Sequence, residues 1–241
     1  PARPDRGSDL LVRVVSGTLE SLPRSLVLGG RNRAAIGDGS VGNWEVFQFE
    51  TAELVAPRTY ALRGRIRGQA GTDGVMPALW PAGSHFVLLD SAVKQVDTAP
   101  AQRGVVRHFR FGPADKPIDS AAFTHREVVA EGIGLRPYRV AHLRRRRVGG
   151  DDLFGWVRRT RVDGDSWAGT TVPLGEEAES YVVRIYEGGV LRRTATTTAT
   201  SFIYDTAMRA AEGVAGAYEV EVTQTSATYG EGPAAKIDVA V

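Results

Sequence analysis

The sequence contains no cysteine, which excludes disulfides, thiolate metal ligands and cysteine nucleophiles. Long apolar runs are missing too, since no stretch approaches the roughly 20 residues that a membrane-spanning helix needs. With 241 residues, 42% of them hydrophobic and 24% charged, the chain has the composition of a globular protein that buries its own core. We therefore expect a protein without a membrane span that is stabilised by packing and hydrogen bonds.

Lysine is scarce: 27 of the 30 basic residues are arginine. Residues 1–150 hold 22 Lys and Arg against 14 Asp and Glu, whereas residues 151–241 hold 8 against 14, so the two parts differ in charge. The densest basic cluster, Arg144 to Arg147, would alternate between the two faces of a strand and has no interleaved aromatic residues for base stacking. This pattern predicts no nucleic-acid partner; it favours a solvated strand or an interface with an acidic partner.

Helical patterns are rare, and short β-prone runs separated by turn residues dominate the sequence. Residues 44–50 alternate with period two, as a strand buried on one face does. Residues 60–67 are predicted to form the returning strand of a hairpin, with Arg63, Arg65 and Arg67 on one solvent-exposed, basic face. Further predicted strands in the first half cover residues 10–15, 25–28, 52–55, 86–89, 105–111 and 124–130.

Two glycines and a proline between residues 132 and 137 predict a domain boundary near residue 134. We expect a β-rich domain over residues 1–134 and a second domain over residues 135–241, whose strand count is typical of an immunoglobulin-like sandwich. The second domain carries an extended polar loop over residues 163–179 and one short helix over residues 206–212. Its predicted strands cover residues 138–147, 153–161, 180–187, 190–198, 201–204, 217–225 and 237–241. Alternation assigns to the core Trp156, Tyr181, Val183, Ile185, Tyr218, Val220 and Val222.

No motif predicts catalysis, a metal site or a cofactor. Residues 37–42 match GxGxxG but precede a strand rather than the helix that a dinucleotide site needs. The segment from Asp163 to Trp167 lacks the glutamate of a calcium loop, which favours a surface turn. The four histidines, at positions 85, 108, 125 and 142, are far apart in sequence, which favours strand or loop positions over a metal site. Three neighbouring acids, Glu176, Glu177 and Glu179, are more typical of a solvated edge than of a glycosidase pair.

Two stretches resemble a known family. The run GNWEVFQFETAELVAPRTYALRGRIRGQAGTD (residues 42–73) resembles tail-tip hub and baseplate proteins of siphophage-like particles. The run LFGWVRRTRVDGDSWAGTTVPLGEEAESYVVRIYEGG (residues 153–189) is similar to the C-terminal part of the large baseplate protein, or megatron, of gene transfer agents. The resemblance implies an all-β chain, with a tail-protein domain followed by a fibronectin type III-like sandwich. In that sandwich Trp156 and Tyr218 would be the core aromatic residues of strands B and F.

The resemblance also implies a function. The chain would be a structural part of the tail-tip baseplate of a phage-like particle, the C-terminal segment of a larger hub-associated protein that contacts other baseplate subunits. Such particles assemble in the cytoplasm and are released from the cell, and any hydrolase domain would lie upstream, so neither an enzyme nor a cofactor is expected here. The alternative is a module that binds a glycan or protein of the host cell surface. Candidate contacts are Trp167, Tyr229, Asp163 and Asp165; the basic interface candidates are Arg63, Arg65, Arg67, Arg144 and Arg146.

Overall fold

The computed structural model describes residues 3–164 and 172–240 of the chain. The chain divides into two compact units, Pro1–Ile133 and Gly134–Val241, and the predicted all-β fold class is confirmed. None of the helices in the described ranges is long and apolar enough to cross a membrane.

Strands supply most of the regular structure in both units. The strands are β1 Arg3–Pro4, β2 Leu10–Arg13, β3 Arg33–Gly37, β4 Trp44–Gln48, β5 Thr51–Ala56, β6 Thr59–Arg63, β7 Ile66–Gln69, β8 His85–Leu88, β9 Val106–Phe111, β10 Thr124–Val129, β11 Ala141–Val148, β12 Asp151–Val157, β13 Tyr181–Glu187, β14 Val190–Thr197, β15 Ser201–Tyr204, β16 Tyr218–Ser226, β17 Gly230–Glu231 and β18 Ala235–Val239. The helices are α1 Arg24–Leu28 and α2 Thr206–Ala211, with 3-10 turns at Thr72–Gly74, Pro100–Gln102 and Ile133–Leu135.

The first unit contains two antiparallel sheets that share one core. One sheet has the strand order β1-β7-β4-β3-β8 and the other the order β2-β6-β5. Alternating residues of their strands, among them Phe47 and Leu62, join Phe49 and Trp80 in a single buried cluster. Burying each such side chain contributes roughly 1.5–3 kcal/mol, so this cluster holds the two sheets together.

Gly64 divides the arm that the sequence predicts as one strand over residues 60–67. Its φ of 61° is left-handed, a conformation that glycine adopts without strain, and a Cβ there would lie 2.9 Å from the side chain of Glu50. The chain therefore leaves the three-stranded sheet at Arg63 and enters the five-stranded sheet at Ile66. The prediction of one continuous strand is wrong because the alternation of side chains does not reveal this change of sheet.

The predicted strand over residues 25–28 is wrong. This segment is the short helix α1, which follows Pro23 and begins with hydrogen bonds from the amides of Leu26 and Val27 to the Pro23 carbonyl. Val27 is its buried residue. Proline suits the first turn of a helix because its missing N–H needs no partner there, and a run of four residues is too short for periodicity to separate helix from strand.

The strands β9 and β10 form a separate antiparallel pair in the first unit. Most of the pair's side chains are exposed, Phe111 and Val106 among them, and none of its residues belongs to the buried cluster of this unit as the structure describes it. The pair is therefore stabilised mainly by its own ladder and the adjoining loops.

The second unit is a sandwich of two antiparallel sheets. A sheet with the order β11-β12-β15 packs against one with the order β14-β13-β16-β18, while β17 extends the end of β16. Three strands facing four is the architecture of a fibronectin type III sandwich. Trp156 lies on the second strand of the sandwich and Tyr218 on the sixth, and both are buried, as predicted from the resemblance. The other predicted core residues of this unit are buried as well.

The charge difference between the two parts of the sequence does not follow the two units. Residues 1–133 hold 16 Lys and Arg against 14 Asp and Glu, and residues 134–241 hold 14 against 14. The positive excess of residues 1–150 therefore comes mainly from the six arginines between residues 134 and 150, which belong to the second unit.

Candidate interaction surfaces

Arg63 lies at the end of β6 and is partly exposed. Its guanidinium contacts Asp9 at 2.7 Å and Glu53 at 2.6 Å. Hydrogen bonds to Asp9 and then to Glu53 raise the pKa of Arg63. The residue thus lies on the surface as predicted, but two neighbouring carboxylates already neutralise its charge.

The predicted basic face is wrong for Arg65 and Arg67. Arg65 is 8% exposed, bonds the Ser8 carbonyl at 2.6 Å and pairs with Asp5 at 2.8 Å. Arg67 is largely buried and pairs with a buried carboxylate, that of Glu45. The physical reason is the change of sheet at Gly64, after which these side chains point toward acids inside the unit instead of toward solvent.

Glu45 is the centre of a buried polar cluster in the first unit. Arg67 donates to both of its carboxylate oxygens, at 2.9 and 2.6 Å, in the forked geometry that gives strong ion pairs. The amide of Gly68 donates to Oε1 at 3.1 Å, and Trp80 Nε1 donates to Oε2 at 2.6 Å. Hydrogen bonds to Glu45 raise the pKa of Arg67. This arrangement stabilises the fold and leaves neither side chain available to a partner.

Arg144 and Arg146 lie on the outward side of the β11-β12-β15 sheet. We name this side the arginine face; it consists of His142, Arg144, Arg146, Val148, Asp151, Leu153, Gly155, Val157, Ser201 and Ile203. The register places Arg144 opposite Gly155, Arg146 opposite Leu153, and Leu153 opposite Ile203. A bulge in β11 between residues 141 and 144, where His142 has a φ of 52°, sets this alternation.

The arginine face combines free positive charge with apolar surface. Arg144 and Arg146 are exposed, and the described residues provide no ion pair to either. Val157 is 53% exposed and Ile203 54% exposed. Gly155 contributes no side chain, which leaves a shallow depression between the arginines and the aliphatic residues. Arginine beside exposed aliphatic groups is a composition that suits a protein–protein interface.

The predicted contact residues Asp163 and Tyr229 lie near one end of the sandwich, whereas Trp167 and Asp165 lie outside the described residues. Asp163 is exposed and has a φ of 48°. Tyr229 is half-buried, and the guanidinium of Arg161 lies 4.9 Å from its ring centroid. Because this cation covers a face of the ring, Tyr229 offers less surface for sugar stacking than an open aromatic residue would.

The three neighbouring glutamates each have a structural contact. Glu176 pairs with Arg161 at 3.0 Å, and Glu179 accepts a hydrogen bond from the Tyr181 hydroxyl at 2.7 Å. Glu177 accepts hydrogen bonds from the amides of residues 227 and 228, both at 3.1 Å, and from two hydroxyls of the same turn. The Thr228 hydroxyl in particular lowers the pKa of Glu177 to about 2. At neutral pH this group is therefore an anion that holds the turn after β16.

Two of the four histidines are neighbours in the structure although they are far apart in the sequence. His108 on β9 and His125 on β10 lie side by side, whereas His85 and His142 belong to other strands. Of the described residues, only the group of His108, His125 and Glu127 could hold a metal ion by the proximity of its ligand atoms. The signal that could have revealed the pair is the hairpin itself, because the separation of 17 residues matches two strands joined by one loop.

The glycine-rich segment of residues 37–42 joins β3 to β4 and leads into a strand, as predicted. Asp38 accepts hydrogen bonds from the Ser40 amide at 2.9 Å and from the Asn43 side chain at 2.5 Å. The segment is thus an internally bonded hairpin loop.

Three comparisons relate this chain to known proteins. The model of a family described as Rcc01698-like, C-terminal, matches residues 1–87. The match spans β1 to β7 and reaches into β8, so it includes both sheets of the first unit. None of the curated proteins matches the sequence significantly. A solved structure, the crystal structure of the rat CD45 extracellular region, domains d3-d4, is similar over 79% of this chain and 94% of that chain, with 11% identity and a TM-score of 0.34.

Proposed function

We propose that the chain is a structural component of the tail-tip baseplate of a phage-like particle, specifically a gene transfer agent. The observation that supports this function best is the family match over residues 1–87, since the Rcc01698 name is associated with gene transfer agents. The matched residues include the segment whose sequence resembles tail-tip hub proteins. In this proposal the chain is part of a larger hub-associated protein.

The arginine face is the surface that we assign to a neighbouring baseplate subunit. Arg144 and Arg146 are two cations without a described ion pair, whereas Arg63, Arg65 and Arg67 are each paired with an acid of their own unit. A partner with carboxylates would supply the missing counter-charges. Its apolar groups would cover Val157 and Ile203 at the same time.

The test changes this face in the full-length protein of a particle-producing strain. We expect the double substitution Arg144→Glu and Arg146→Glu to strongly reduce the amount of the chain in purified particles, because reversed charges would repel an acidic partner. Quantitative mass spectrometry measures this amount, and electron microscopy reveals whether tails end in a complete baseplate. The control is Arg192→Glu, which reverses the charge of an exposed arginine on β14, in the other sheet of the sandwich.

Two results would contradict the proposal, and each rejects a different part of it. Normal incorporation of the double variant would reject the arginine face as a docking surface. Absence of the unmodified chain from purified tails would reject the baseplate function itself.

A further inference from the structure

The β9-β10 pair brings three metal-ligand side chains to one face. The register places His108 directly opposite Glu127, while His125 lies opposite Arg110 and is therefore the diagonal neighbour of His108. Alternation puts all three side chains on the same side of the ladder. Direct and diagonal neighbours on one face of an antiparallel pair lie within reach of each other's side chains.

The distances between the ligand atoms fit a single ion. His108 Nδ1 lies 3.0 Å from His125 Nε2 and 3.5 Å from Glu127 Oε1, and the three ligand atoms lie within 4.8 Å of one another. Zinc bonds to histidine nitrogen and to carboxylate oxygen are about 2.0–2.2 Å long, which puts tetrahedral ligands about 3.3 Å apart. An ion seated between these atoms therefore needs only small side-chain rotations.

The orientation of the two imidazole rings supports the same conclusion. Their planes differ by 11° and their centroids are 5.2 Å apart. Because the facing nitrogens are only 3.0 Å apart, the rings approach each other through these nitrogens and not face to face. Each ring still has its second nitrogen available to carry the proton of the neutral tautomer, which is the form that binds metals.

The surroundings leave the cluster open to an ion from solution. His108 and Glu127 are each 62% exposed. Arg110, the cation on the same face, donates to the carbonyl of Ile118 at 2.7 Å. Two neutral imidazoles and a carboxylate are a donor set that suits zinc, and three protein ligands leave a fourth position for water.

We propose that His108, His125 and Glu127 form a binding site for a divalent transition-metal ion of the Zn²⁺ class. The ion would cross-link β9 to β10, a strand pair that contributes no residue to the described core of its unit. The inference is independent of the baseplate function, since it rests on the geometry of one hairpin.

The experiment titrates the untagged, metal-free 241-residue chain with ZnCl₂ in a calorimeter. We expect one Zn²⁺ per chain. His108→Gln and His125→Gln should each weaken Zn²⁺ binding by at least about tenfold. Removing a group that is hydrogen-bonded to a metal ligand typically weakens binding by about that much, and removing the ligand itself should weaken it at least as strongly. The matched controls are His85→Gln and His142→Gln, which change exposed histidines outside the cluster and should leave the affinity unchanged.

Cobalt provides a second measurement. Bound in place of zinc, Co²⁺ should give the intense visible absorption of a tetrahedral site, and Glu127→Gln should reduce it. Because the three substitutions change exposed side chains, circular dichroism should confirm that each variant is folded. Failure of the unmodified chain to bind Zn²⁺, or equal weakening by the control substitutions, would overturn the proposal.

Discussion

In both units of the molecule, arginine and an aromatic donor hold a buried carboxylate, and the two centres differ in how much positive charge that carboxylate balances. Glu45 in the first unit binds Arg67, Trp80 Nε1 and the Gly68 amide. Asp152 in the second unit, which is fully buried, binds two arginines, Arg145 and Arg209, each at 2.7 Å, and the Tyr218 hydroxyl.

The difference lies in how many arginine charges each acid neutralises: Glu45 pairs with one arginine, whereas Asp152 pairs with two. Arg67 also donates to the carbonyls of Pro77 and Ala78, at 2.9 and 3.1 Å. At the other centre, Arg145 and Arg209 also donate to carbonyls, those of Ala240 and Gly150. Both cations, however, face one carboxylate, which also connects β12 to α2 and β16. A buried acid therefore contributes most to the stability of its unit where it is the shared counter-charge of more than one cation.

The largest effect is expected for Asp152→Ala. This substitution leaves Arg145 and Arg209 close together without their shared counter-charge, which should destabilise the second unit by about 3–5 kcal/mol. Hydrogen exchange with mass spectrometry should detect the loss in β12 and β16, while β3 and β4 keep their protection. Asp163→Ala, which removes an exposed acid of the same unit, serves as the control. Unchanged protection in β12 and β16 would show that Asp152 does not hold the sandwich together.

A smaller effect is expected for Glu45→Ala. The Trp80 and Gly68 donors lose their acceptor, but Arg67 keeps two carbonyl partners, so the first unit should lose about 2–3 kcal/mol. The same exchange experiment measures it, this time in β3 and β4. Glu53→Ala, which removes an exposed ion-pair partner of Arg63, should have no measurable effect. A loss larger than that caused by Asp152→Ala would reverse the comparison.

Lowering the pH should destabilise the second unit by protonating the Asp152 carboxylate. Burial acts to raise the pKa of Asp152, but hydrogen bonds from Arg145 and Tyr218 and the charges of both arginines outweigh it, so the pKa lies below its ordinary value. A lowered pKa in the folded state contributes stability that is present above the unfolded-state pKa of about 3.9 and is lost as the pH falls further. Urea unfolding of the sandwich should therefore need less denaturant at pH 3 than at pH 6. Asp152→Asn should reduce this difference, and an identical pH dependence in that variant would assign the acid sensitivity to other carboxylates.

Local alternation predicted much of the fold, because a half-buried strand shows its two faces directly in the sequence. Strands β4, β13 and β16 follow that pattern, and the core positions of Trp156 and Tyr218 agree with it. The helix of residues 206–212 was predicted to within one residue of α2, since its glycine stop is a local signal as well.

The misses concern interactions between residues that are distant in sequence. Alternation assigned Arg65 and Arg67 to solvent because it does not reveal that Asp5 and Glu45 lie on the inner side of the strand. The pairing of His108 with His125 depends on a hairpin register that spacing alone leaves undefined. Arg144 and Arg146 were placed correctly on an exposed face, and their function as a docking surface stays a prediction.

Gly64 has a consequence for how the first unit folds. Since β6 belongs to one sheet and β7 to the other, with only two residues between them, ordering either strand restricts where the second sheet can form. The two sheets should therefore acquire structure together in one cooperative step, and a residue with a larger side chain at this corner would disturb both at once.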